Sequence, residues 1–222
     1  KIASFEAIDL PLIRYAAGTG KPLVISTGMA DFFEIEEAIN AANEGGCSNL
    51  AVLHCVSGYP SPPEDYNLKT IPDMKEKFSI PVGLSDHTID NATAIASISL
   101  GASIIEKHVT LDRNAGGPDD SFSIEREELM SLCRDINTAW KSLGNINYGT
   151  KSSETGNIKF RRSLYFVNSL KKGEKIKNND IKSVRPGFGI PPKFFDQVVG
   201  CKLLKDAKYG TPVNFQDLEG LQ

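Results

Sequence analysis

Of the three histidines in this 222-residue chain, two close apolar runs: VGLSDHT carries His87 and ASIIEKHVT carries His108. In a chain that repeats strand and helix, the C-terminal strand ends gather on one rim of the sheet, where catalytic residues collect. Two imidazoles on neighbouring strand ends could share one divalent metal that polarises a carbonyl, although each alone serves as readily as a hydrogen-bonded structural residue. Asp86 and Glu106 add carboxylates to the same two segments, and Glu6 and Glu106 are acids able to move protons. Other run exits bring Lys1 with Ser4, Ser26-Thr27-Gly28, Cys55 with Ser57 and Tyr59, and Ser85. Hydroxyls and a lysine beside glycine suit a phosphate, because each donates hydrogen bonds to its oxygens. His54 stands one residue earlier on its run and is expected in packing. Strand alternation aims Lys107 away from Glu106 and His108, toward the exterior or a salt bridge.

The elements that must position these residues can be read from the hydrophobic pattern. Strand candidates are Lys1–Ser4, Leu23–Thr27, Leu50–Cys55, Val82–Ser85 and Ser103–Glu106, apolar enough to be covered on both faces. Helical patterns run over Leu10–Thr19, Asp31–Glu44, Leu68–Phe78, Ile89–Leu100 and Arg126–Leu143, with Gly20, Gly45–Gly46 and Gly101 just past helix ends. The alternation predicts a parallel sheet. Five units fit an open doubly wound sheet, or part of a (β/α)8 barrel, which needs eight units over about 250 residues. The chain opens at Lys1 inside a strand-like run, so a piece lacking its N-terminal portion is expected.

A long polar loop, Asp112–Asp120, follows the last strand on the rim, where loops commonly bind substrate. The alternating domain is expected over residues 1–144, followed by a Gly/Ser/Thr/Asn-rich linker over 145–157. Residues 158–222 are Lys-rich and punctuated by turns, which predicts a small, mostly β domain. Arg185 there precedes Pro-Gly, which holds its backbone extended and leaves its side chain free.

Composition narrows the function classes. A formal charge of −3 and a pI near 5.7 leave no broad basic surface for nucleic acid or anionic lipid. The absence of a long apolar span or a leader predicts a cytoplasmic protein with no membrane partner. Cys47, Cys55, Cys133 and Cys201 lack C-x-x-C spacing and read as small hydrophobes in a reducing compartment.

Taken in order, KIASFE, STGMA, LHCVSGYPSP, GLSDHT, IIEKHVT and GGPDDSFS resemble the sialic acid synthase family, and the C-terminal stretch resembles the antifreeze-like (SAF) domain of the same enzymes. The resemblance covers essentially the whole chain. It implies strands four to eight of a (β/α)8 TIM barrel followed by a SAF domain, with KIAS as the fourth strand. The implied reaction condenses phosphoenolpyruvate with an N-acetylated amino sugar: metal-assisted attack of C3 on the open-chain aldehyde, addition of water at C2, and loss of phosphate by C–O cleavage. KIASFE with DLPLI, the GGPDDSFS loop and FRRSLYFVNSLKKGE most resemble pseudaminic acid synthases, which implies 2,4-diacetamido-2,4,6-trideoxy-L-altrose as the sugar. Leu53–Cys55 looks more like the neuraminate form, so neuraminate and legionaminate synthesis stay as alternatives. More distant alternatives are a metal-dependent barrel aldolase and a non-catalytic sugar-binding protein.

Residue by residue, the resemblance puts Mn2+ or Mg2+ on His87 and His108, and phosphoenolpyruvate on Lys1, Ser4, Ser26, Ser57 and Ser85. It makes Glu6 and Glu106 the acids beside the sugar, and Tyr59 and Asp119 sugar-pocket residues. Arg185 matches an arginine that the small domain of one subunit inserts into the other's active site, which implies a domain-swapped homodimer.

Overall fold

A computed structural model describes Lys1–Leu221. The chain divides into two compact units, the first spanning Lys1–Asn145 and the second beginning at Ile146. No helix is long and apolar enough to cross a membrane among the described residues.

The first unit is built on four parallel strands in the order β1 (Leu23–Ser26), β2 (Leu50–Cys55), β3 (Val82–Asp86), β4 (Ile105–Lys107). The intervening helices are α1 (Leu10–Ala17), α2 (Phe32–Glu44), α3 (Thr70–Phe78) and α4 (Ala92–Ser99), with α5 (Arg126–Leu143) following β4. Asp31 starts α2 through a capping box: it accepts from the Glu34 amide, and Glu34 accepts from its own. Beyond α2, Gly46 takes φ +89°, a left-handed turn that a β-carbon would strain. Ile13, Ile25, Val52, Ile71, Val82, Leu84 and Ile124 are buried to 1% exposure or less, so the core lies between sheet and helices.

The predicted first strand is corrected. Lys1–Ser4 contributes a single parallel bridge, Ile2 to Ile25, before the backbone tightens into a 3-10 turn at Ser4–Glu6. Ser4 leaves the ladder because its carbonyl accepts from Ala7 and its hydroxyl from Gly28. A second lone bridge, Val109 to Ile124, extends the other margin.

Register fixes which side chains share the inner face. Ser85 pairs with Cys55 on one side and with Glu106 on the other, while Asp86 pairs with Lys107. Four strand spacings separate the Ile2 segment from β4, about 19 Å in a flat sheet. Lys1 nevertheless holds Glu106 at 2.7 Å. The sheet must therefore curl, as half a barrel does.

The second unit is mostly β with little regular strand length. β5 (Ser163–Phe166) pairs antiparallel with β6 (Ile181–Val184), and lone bridges add Pro212, Ala207, Lys202 and Leu218. Leu164, Phe166, Ile176, Val198 and Val213 centre its own core, flanked by the single turn of α6 (Phe195–Val198). Part of the stretch expected as linker is helical: Ser152–Phe160 forms an exposed 3-10 run.

Candidate active site

One strand end after another delivers inner-face groups to the rim. Lys1 Nζ donates to both Glu106 oxygens, at 2.7 and 2.8 Å, and Ser85 donates to Oε1 at 2.8 Å. Burial alone would raise the Glu106 carboxyl; the bonds from Lys1 and Ser85 and the lysine charge outweigh it and hold the group below its ordinary range. Glu106 is therefore an acceptor, not an acid, at neutral pH.

Beside this pair lies a pocket of hydroxyls. The Gly28 amide donates to Ser4 Oγ at 3.0 Å. A β-carbon at Gly28 would stand 2.2 Å from Ser57 Oγ and 2.8 Å from Ser4 Oγ, so only glycine lets the three segments meet. Ser26 and Ser57 hydroxyls are buried without a hydrogen-bond partner among the described residues. An unsatisfied buried hydroxyl costs about 1–3 kcal/mol, and two of them at the exits of neighbouring strands suit an anion that accepts from both.

The histidines meet across the rim. Their ring centroids lie 5.2 Å apart, with Tyr59 4.4 Å from His87 and 5.8 Å from His108, and Phe122 5.2 Å from His108. His87 Nδ1 bonds the Val56 carbonyl at 2.8 Å, which places the proton there and leaves Nε2 with a lone pair. Burial disfavours charge on this imidazole, but contacts with Cys55 and the Val56 carbonyl outweigh burial and raise it. His108 Nδ1 stands 3.4 Å from Asp119 Oδ2. The Asp119 loop is held by Asp120, which accepts from Thr110 Oγ1 at 2.7 Å and from the Gly117 amide at 2.6 Å.

Lys1, Ser4, Ser26, Ser57, Ser85 and Glu106 thus line one part of the rim, and His87, His108, Tyr59 and Asp119 the other. Glu6 is exposed and makes no side-chain hydrogen bond or ion pair among the described residues. Arg185 lies in the second unit, exposed, at the end of β6. Asp86 departs from its expected place: its carboxylate is fully buried on the outer face, paired with Lys107 at 2.8 Å. His54 also points outward, Nε2 2.5 Å from the Tyr66 carbonyl, and burial lowers its basicity despite that bond.

Cys55, expected at a strand exit and as a small hydrophobe, meets a partner that the sequence does not show, and Tyr66 escaped the sequence reading. Cys55 Sγ lies 4.0 Å from His87 Nδ1, a position its register with Ser85 reveals once the strands are paired. Tyr66, fully buried, accepts the His87 amide at 2.6 Å through its hydroxyl, and no local pattern signals that contact.

Comparison with known proteins fits this geometry. Residues 1–148 match the NeuB family model, and residues 161–219 match the SAF domain. The chain is 38% identical to the pseudaminic acid synthase of Helicobacter pylori over 99% of its own length and 65% of that protein. It is equally 38% identical to the N,N'-diacetyllegionaminic acid synthase of Campylobacter jejuni, over 94% of the chain and 63% of that protein. It spans less than two thirds of these curated relatives. Among solved structures it is similar to the spore coat polysaccharide biosynthesis protein SpsE of Bacillus subtilis, with TM-score 0.61 and 31% identity over 98% of this chain and 66% of that one. By the match of its first unit and of the domain behind it, the chain belongs to the NeuB family and carries a SAF domain.

Proposed function

We propose that this chain supplies the C-terminal part of the TIM barrel, from about its fourth strand, of a synthase that condenses phosphoenolpyruvate with an N-acetylated amino sugar. The observation that carries the reading is the pair of unsatisfied buried hydroxyls, Ser26 at the end of β1 and Ser57 just past the end of β2, the latter against Gly28. Lys1, Ser4, Ser26, Ser57 and Ser85 would grip the phosphate and carboxylate of phosphoenolpyruvate, since each donates and none carries negative charge. Lys1 spends its reach on Glu106 alone, so it can be shared with an incoming anion.

His87 and His108 would hold a divalent ion. The fit rests on the donor set: the Val56 bond presents the His87 lone pair, and the ring spacing lets a single ion reach both. Among the described residues no group of three or more His, Cys, Asp or Glu side chains could hold a metal, so two imidazoles are what this chain offers. Imidazole ligation favours Mn2+ over Mg2+, which prefers oxygen. When bound, the ion would polarise the aldehyde carbonyl of the open-chain sugar.

The remaining residues orient and move protons. Glu106, kept ionised by Lys1 and Ser85, takes the proton of the water that adds at C2, and the tetrahedral adduct then releases phosphate by C–O cleavage. Glu6 is the second carboxylate on the sugar side. Tyr59 and Asp119 line the sugar pocket, and holding both substrates on one rim removes much of their encounter entropy. Arg185, exposed on the small domain, would reach the N-acetyl group of a sugar bound by a partner subunit, making the enzyme a domain-swapped homodimer. The GGPDDSFS loop and the 38% identity to a pseudaminic acid synthase support 2,4-diacetamido-2,4,6-trideoxy-L-altrose as the sugar. The equal identity to a legionaminic acid synthase keeps legionaminate synthesis, with N-acetylneuraminate synthesis beside it, as the second reading.

The test is phosphate release from phosphoenolpyruvate by the complete protein, with each candidate sugar and Mn2+. The altrose derivative is expected to give the fastest release, and His87→Ala or His108→Ala to lower it more than about a hundredfold while the fold is kept. Release that ignores the sugar, or survives either substitution, sinks the reading.

A further inference from the structure

Behind the two histidines, on the outer face of the same strands, lies a polar knot that the proposed chemistry does not use. Lys107 Nζ donates to Asp86 Oδ2 at 2.8 Å, to the Thr88 carbonyl at 2.5 Å and to the Asp90 carbonyl at 2.9 Å. All three ammonium protons are thereby spent. Asp86 Oδ1 accepts from the Thr88 amide at 2.9 Å. The lysine and aspartate side chains are 3% and 0% exposed.

Burying such a pair is a poor way to gain stability, because desolvating two ions roughly cancels their attraction and an apolar pair serves as well. Its position offers another reason. Asp86 immediately precedes His87, and Lys107 immediately precedes His108, and the two are register partners across β3 and β4. One lysine also collects the carbonyls on either side of the turn that leaves His87, just ahead of α4, which begins at Ala92. Tyr66 Oη on the His87 amide and the Ser61 amide on its carbonyl complete the clamp.

We infer that Lys107, through Asp86 and the Thr88–Asp90 turn, is a positioning residue that sets the spacing and aim of His87 relative to His108. The inference rests on the reading that these histidines share a divalent ion. Both strand ends that carry ligands are tied to one saturated ammonium, so loosening it lets the two imidazoles move independently.

The experiment compares the complete wild-type protein with Lys107→Met, Asp86→Asn/Lys107→Met and His87→Ala. The double variant leaves no buried charge, so it avoids the stranded-carboxylate cost that the single one carries. Mn2+ affinity is measured by calorimetry and by the electron spin resonance of the bound ion; phosphoenolpyruvate affinity is measured without metal. The double variant is expected to bind Mn2+ ten- to a hundredfold more weakly, as loss of an outer-shell support does, with an altered resonance and phosphoenolpyruvate affinity within twofold of wild type. Wild-type Mn2+ affinity in a folded double variant overturns the inference while the metal reading stands, provided His87→Ala abolishes binding. Equal Mn2+ binding by wild type and His87→Ala sinks the metal reading and the inference with it. Failure of both Lys107 variants to fold makes the knot structural and also overturns it.

Discussion

Two lysine–carboxylate pairs tie strand ends of the first unit at nearly the same distance, in opposite surroundings. Lys1 meets Glu106 at 2.7 Å on the inner face with side chains 33% and 40% exposed; Lys107 meets Asp86 at 2.8 Å on the outer face with 3% and 0%. Distance alone would rank them equal. Water decides otherwise: an exposed pair is worth about 0.2–1 kcal/mol, whereas removing one member of a buried pair strands a charge at a cost of about 3–5 kcal/mol. The inner pair is loosely held and can be redistributed to a ligand. The outer pair is saturated and fixes geometry.

The largest expected effect breaks the outer pair. Lys107→Ala should lower unfolding free energy by about 3–5 kcal/mol, and Lys1→Ala by less than about 1 kcal/mol, in denaturant titrations of the complete protein. Equal losses would erase the distinction between the two faces.

An intermediate effect tests whether the inner face is built around open space. Gly28→Ala puts a methyl 2.2 Å from Ser57 Oγ, displacing one of the two unsatisfied hydroxyls. Phosphoenolpyruvate affinity should fall about tenfold, equivalent to about 1.4 kcal/mol. The melting temperature should fall as well, because Ser57 can rotate away but the Ser4 segment, with Oγ 2.8 Å and Cβ 3.1 Å from the new methyl, must also shift. Unchanged affinity, read by calorimetry, would place the anion elsewhere.

The two faces also differ in how far sequence reading reaches them. Local patterns suffice for the frame: Leu50–Cys55 and Arg126–Leu143 fall where apolar run length and helical spacing predict, and Asp31 caps α2. Parity along β4 was enough to send Lys107 away from Glu106 and His108, and polar exits were enough to mark His87 and His108. What escaped depends on partners distant in sequence. α4 starts at Ala92, not Ile89: the Asp90 carboxylate accepts from the Ala92 amide while Lys107 takes the Thr88 and Asp90 carbonyls, and Ser4 leaves its strand as its hydroxyl accepts from Gly28. Asp86 reads as a site acid until the register of β3 against β4 turns it outward, and Tyr66 lies outside any strand exit yet holds the His87 backbone.

The smallest effect is also the one that reports the inner pair directly, through pH. Burial opposes the charged form of Glu106, but Lys1 and Ser85 bind that form and prevail, so the folded carboxyl titrates below the unfolded one. A group depressed in this way stabilises the fold fully above the unfolded glutamate value near 4.3, and its contribution disappears as pH falls through the folded value. Because Glu106 is 40% exposed, solvent screening keeps the contribution below about 1 kcal/mol. Glu106→Gln should therefore be slightly less stable than wild type at pH 6–7, and the two melting curves should converge as pH drops below about 4. A gap that stays constant across that range would mean that Lys1 and Ser85 do not favour the carboxylate, and the inner pair would then lose the ionised acceptor on which proton transfer from water depends.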